Sequence, residues 1–151
     1  MAMTMNGEYQ LAVPPQTVWE KLNDAATLKA CIPGCEQLDK TSDTEFQAVA
    51  TVKIGPVKAK FKGKVTLSDL DPPNGYKISG QGDGGVAGFA KGGATVKLTP
   101  KNGGTLLSYN VDAQIGGKLA QLGQRLVNGA AKKVADDFFA NFANAVNPKA
   151  G

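Results

Sequence analysis

The chain has 151 residues, 17 Lys+Arg against 13 Asp+Glu, and no histidine. That length suits one domain with one real core, and 42% hydrophobic with 20% charged residues is too apolar for disorder. Without His, the commonest general base, His-ligated metal sites and Ser-His or Cys-His nucleophile pairs are all excluded.

The basic residues are 16 Lys and one Arg, Arg125. A nucleic-acid reader normally uses Arg forks and stacking aromatics, so no nucleic-acid partner is expected. No stretch approaches the ~18 apolar residues of a membrane span. The first residues lack the basic and apolar segments of a secretory signal, and with only two Cys the expected location is cytoplasmic.

Thr4 to Ala12 reads as a strand. Pro14-Pro15 opens a helix over Gln16–Asn23 with Val18, Trp19 and Leu22 on one side. Asp24 is the expected N-cap of a second short helix, Ala25–Cys31, stopped by Pro33-Gly34. The period then changes to two. Breaker clusters at Ser42-Asp43, Gly55-Pro56, Asp71 to Gly75, Gly84-Gly85 and Pro100 to Gly104 predict six strands near 36–41, 44–54, 57–70, 75–82, 88–99 and 104–115. Without intervening helices, these form an antiparallel meander. Lys118–Val146 reads as one long helix with Leu119, Leu122, Leu126, Ala130, Val134, Phe138, Phe142 and Val146 on its apolar side. The expected fold class is α+β: a curved seven-stranded antiparallel sheet around a long C-terminal helix, with two short helices after the first strand. One domain is expected over 1–147, with 148–151 as a short tail.

Alternation puts Phe46, Phe61, Tyr76 and Tyr109 on the inward face, together with ten Gly or Ala residues, among them Gly88, Ala90 and Gly92. Glycine weakens a strand interior unless something approaches closely. Two accounts stand: the small residues let the long helix sit tightly on the sheet, or they leave an apolar cavity for a hydrophobic ligand. In the second account Trp19, Leu119, Leu122 and Leu126 complete the lining, and Ala90→Leu or Gly92→Val should fold but lose the ligand. Its place beside Val18 and Leu22 on the apolar side of the first helix makes plain core the first reading of Trp19, and the cavity mouth the second. Lys58, Lys60, Lys62 and Lys64 share the outward face of one strand. That row is either a solubilising surface or a meeting place for an anionic membrane or an acidic partner.

Three features carry no chemistry in this reading. Gly80 to Gly85 has G-x-G-x-x-G spacing, but a strand follows where a nucleotide site needs a helix N-terminus. Cys31 and Cys35 are too few for a structural zinc site and wrongly spaced for a redox pair, so no metal is expected. Asp112 and the pair Asp136-Asp137 are expected in solvent, which leaves acid–base catalysis without a candidate.

Six ordered strings resemble the carbon monoxide dehydrogenase G-subunit family, within the START-like helix-grip superfamily of polyketide cyclases. They are V-W-E-K-L-N-D at Val18–Asp24, C-I-P-G-C-E at Cys31–Glu36, I-G-P-V-K-A-K-F-K-G at Ile54–Gly63, L-S-D-L-D-P-P at Leu67–Pro73, G-G-K-L-A-Q-L-G-Q-R-L at Gly116–Leu126, and D-F-F at Asp137–Phe139. The resemblance implies a non-catalytic accessory protein of a molybdenum hydroxylase of the CO dehydrogenase kind. It further implies a quinone (menaquinone or ubiquinone) or another lipid in the grip cavity, and a peripheral place at the inner face of the cytoplasmic membrane. Members that anchor there carry a linker and a hydrophobic tail. The rival expectations are a docking module that does not use its cavity, and a small cyclase- or hydrolase-like enzyme on the same fold.

Overall fold

The computed structural model describes residues 2–146; the expected tail at 148–151 lies outside them. Seven strands, β1 (Ala2–Leu11), β2 (Cys35–Ser42), β3 (Glu45–Ile54), β4 (Val57–Asp71), β5 (Gly75–Asp83), β6 (Phe89–Lys101) and β7 (Gly104–Gly116), form one antiparallel sheet. Its order is β1-β7-β6-β5-β4-β3-β2: a six-strand meander whose last strand pairs with the first. The turn between β6 and β7 uses Asn102-Gly103 at φ +53° and +78°, where Asn and Gly are the residues that tolerate the left-handed region a two-residue hairpin needs. Asp69, also at positive φ, lies where the β4–β5 register shifts, a bulge that bends the long strand.

Helices α1 (Pro15–Leu22) and α2 (Ala25–Cys31) follow β1. Asp24 caps α2 by accepting from the Thr27 backbone N–H at 3.3 Å, and its bonds to Thr27 hold its carboxyl below the usual carboxylate range. The segment read as one helix from Lys118 is two. Helix α3 (Lys118–Gln121) ends before Gly123, whose φ of +93° cannot continue a right-handed helix, and α4 runs Gln124–Val146. The break resets the helical phase, so the stripe facing the sheet is Val127, Ala131, Ala135, Phe139, Phe142 and Val146 rather than the stripe through Leu126 and Val134. Leu126 is 40% exposed.

Two core clusters lie between helices and sheet. The larger gathers Val18, Leu22, Phe46, Leu67, Tyr76, Leu107, Phe139 and Phe142; the smaller gathers Met3, Ile54, Ile115, Leu119 and Val127. Across the sheet between them run the rows Gly80–Gly92 and Ala48–Gly63–Gly82–Ala90.

Candidate ligand cavity

Beneath the two short helices the larger cluster is hollow. A cavity of about 260 Å³ opens between Leu22 of α1, Leu28 and Ile32 at α2, the inward side chains Leu38, Phe46, Val65, Leu67, Tyr76, Ile78, Val96 and Leu107 of β2–β7, and Phe138 and Phe139 of α4. Apart from Tyr76, every lining residue is aliphatic or phenylalanine. Burial pushes the Tyr76 phenol up, so it stays protonated and the wall carries no charge.

Of the residues expected to line a cavity, this space brings together Phe46 and Tyr76. Trp19 stands behind its wall, edge-on to Tyr76 with ring centroids 5.2 Å apart. The others lie elsewhere, because the space over the small residues is already taken. Phe61 covers Gly82 and Gly84: a Cβ on those glycines would meet its ring at 3.5 and 3.0 Å. Backbone does the same at Gly88 and Gly92, where a Cβ would lie 2.0 Å from the Gly116 carbonyl oxygen and 2.1 Å from that of Asp112. Ala90, Leu119 and Leu122 pack in the smaller cluster, and Leu126 rests its side chain over Gly55. The cavity therefore sits over the part of the sheet rich in large side chains, between it and α1, α2 and α4.

Tyr109 belongs to a different feature. It stacks on Phe139 at 5.1 Å, and its ring fills the space a side chain at Gly7 would need. A groove of about 420 Å³ beside it, between β1 and α4, holds a polar group that the sequence reading placed in solvent. Tyr9 Oη donates to Asp136 Oδ1 at 2.9 Å and Lys132 Nζ donates to Asp136 Oδ2 at 2.8 Å. The Lys132 hydrogen bond, then that of Tyr9, holds the Asp136 carboxyl low; burial, then Asp136, pushes the Tyr9 phenol up to about 12. The Lys132–Asp136 spacing was legible as an i,i+4 pair, but Tyr9 is 127 positions away and only the β1–α4 contact joins it. Asp137 pairs with Lys133 in the same way.

Lys58, Lys60, Lys62 and Lys64 are all exposed on the outer face of β4. Lys60 lies 3.5 Å from Glu36 and Lys64 3.1 Å from Glu45; Lys58 and Lys62 have no ion-pair partner among the described residues. Lys62 and Lys64 border an open groove of about 890 Å³ that runs to the exposed Val86 of the β5–β6 connection and Phe89 at the start of β6. The G-x-G-x-x-G run ends in that connection, in a single 3-10 turn at Gly85–Ala87 before β6. Cys31 is buried and Cys35 half-buried, and burial raises both thiols.

A curved antiparallel sheet gripping a C-terminal helix, with two short helices closing one end over an apolar cavity, defines the helix-grip, START-like class of proteins. Solved structures share it. An aromatase/cyclase from Streptomyces is similar over 97% of this chain and 94% of its own, at 11% identity and a TM-score of 0.70; Ara h 8.0201 is similar over 97% and 98%, at 14% identity and a TM-score of 0.68. A conserved protein from Geobacillus kaustophilus is far nearer, 34% identical over 95% of both chains with a TM-score of 0.89. The chain belongs to CoxG, the carbon monoxide dehydrogenase G-subunit family, whose sequence profile matches residues 7–147. No curated protein matches it.

Proposed function

We propose that the protein is a non-catalytic carrier that holds the ring of a quinone or a similar lipid, and that it links a molybdenum-containing CO dehydrogenase to the respiratory membrane. The observation that carries this reading is the uncharged cavity beneath α1 and α2. An apolar cavity of roughly 150 Å³ holds a benzene ring. The 260 Å³ here suits the ring head of a benzoquinone or naphthoquinone, with any long isoprenoid tail running outside. The quinone would supply the redox chemistry, and the chain would supply a dry, fitted seat. Among the described residues the cavity wall has one titratable side chain, held neutral, and no acid–base pair, which favours carriage over turnover. The partner is drawn from the family's name, and the membrane role from the same family resemblance.

Organic extraction of purified protein followed by mass spectrometry should recover a quinone or lipid. Menadione (a naphthoquinone without a tail) should quench Trp19, the chain's one tryptophan, through the Tyr76 wall. Val65→Phe, which projects a ring into the cavity, should fold with a stability change under about 1 kcal/mol, because existing space takes the added carbons, and should abolish the quenching. A loss of ~1–3 kcal/mol, the ordinary cost of overfilling a packed core, with no ligand recovered, would defeat the carrier reading.

The lysine row supports a docking role beside carriage, since Lys58 and Lys62 are not spent on ion pairs among the described residues. Basic residues close to an anionic membrane gain ~1 kcal/mol each. Reversing both, Lys58→Glu with Lys62→Glu, should leave the melting temperature within a few degrees and weaken binding to phosphatidylglycerol vesicles at least tenfold at low salt. Equal binding by both proteins would leave the row as a solvated face.

A further inference from the structure

We propose that the Tyr76 hydroxyl is the polar anchor of the cavity, selecting apolar rings that carry a neutral carbonyl or hydroxyl oxygen over hydrocarbons of the same shape; the proposal rests on the carrier reading above. Tyr76 is 6% exposed and contributes the only polar side chain among the described residues of the cavity wall. Its hydroxyl makes no hydrogen bond with any described residue, although buried phenols usually find a partner. Two other hydroxyls in the fold are used internally: Thr105 donates to the Val13 carbonyl at 2.7 Å, and Tyr9 donates to Asp136. No fully enclosed side-chain N or O among the described residues lacks a partner, so the Tyr76 oxygen borders open space. Tyr76 also borders an outer groove with Lys77, Thr95 and Lys97, but its ring packs inward in the larger cluster against Trp19, on the side of the sheet where the cavity lies.

The surroundings decide the chemistry of what it would meet. The phenol is pushed up by burial, so at ordinary pH it is a neutral donor. No cation stands among the described residues of the wall to balance a carboxylate, and burying an ionised group unpaired is costly. An ionised fatty acid is therefore disfavoured, and a neutral ring ketone or quinone fits: its carbonyl accepts from Tyr76 while its carbon face packs on Phe46, Val96 and Phe139. The edge contact with Trp19 holds the phenol ring in place.

The test compares menadione with methylnaphthalene, nearly the same shape without the oxygens, on the wild type and on Tyr76→Phe. The wild type should bind menadione about tenfold more tightly, the factor one net hydrogen bond gives. Tyr76→Phe should bind methylnaphthalene as before and lose the preference. In the wild-type complex the infrared carbonyl stretch should fall relative to menadione in hydrocarbon solvent, and in the variant it should return. Preference retained in the variant, or an unshifted stretch in the wild type, would overturn the role of Tyr76 while leaving the cavity intact. If the wild type binds neither compound, the carrier reading itself fails and this proposal with it. The infrared measurement on the wild type decides the matter even if the variant is too unstable to titrate.

Discussion

Gly92→Val is expected to cost more than ~3 kcal/mol, a large share of the 5–15 kcal/mol that holds a domain folded. A Cβ there would lie 2.1 Å from the Asp112 carbonyl oxygen and 2.6 Å from the Ala113 Cα, both backbone atoms of β7. A flexible side chain could swing aside, but a strand cannot, so β6 and β7 must part at the Gly92–Ala113 pair and lose ladder hydrogen bonds. Urea denaturation, followed by circular dichroism, should give a much lower midpoint or no folded baseline. This reverses the expectation that the substitution folds and merely blocks a ligand. A variant within ~1 kcal/mol of wild type would restore the view that Gly92 leaves open space.

Phe142→Ala should be of similar size, about 3–5 kcal/mol. Phe142 is 0% exposed and packs on Phe138 with ring centroids 5.8 Å apart, at the point where α4 seats on the sheet. Removing the ring forfeits its burial and leaves a void next to the existing cavity. Leu126→Ala belongs to the same apolar stripe in the sequence but sits after the phase reset, at 40% exposure, and should cost under about 1 kcal/mol. Thermal denaturation of the two variants side by side gives the contrast; equal losses would contradict the placement of α4.

That contrast marks how far the sequence could be read. The seven strands and both short helices were legible because each is declared locally: by period-2 alternation between Gly, Pro, Asn and Asp turns, by Pro15, and by Asp24. The break at Gly123 was less so, since glycine in a helix pattern has two readings, close packing or a stop, and only the backbone angle separates them. The site was half legible. Phe46 and Tyr76 follow from alternation alone, which says which face a side chain takes. How much space faces it depends on how far α1, α2 and α4 stand off the sheet, and no single strand encodes that. The small residues misled for the same reason: volume absent from Gly82 and Gly92 is supplied by Phe61 and by the β7 backbone. Tyr9 and Asp136 meet only through topology.

The strand order also bears on how the chain reaches its native state. Strands β2 to β7 each pair with the next in sequence, so five tight connections build most of the sheet through local contacts. Strand β1 is different: Ala2 aligns with Gln114 and Leu11 with Thr105, at the far end of the meander. Closing so long a loop is entropically unfavourable until β7 is in place to reward it, and such distant pairings slow folding. Synthesis makes β1, α1 and α2 before the meander, yet their partners Leu107, Phe138 and Phe139 emerge only after most of it. The apolar side of α1 and α2 thus waits exposed until α4 is made, and the cap over the cavity is expected to close as one of the last steps of folding.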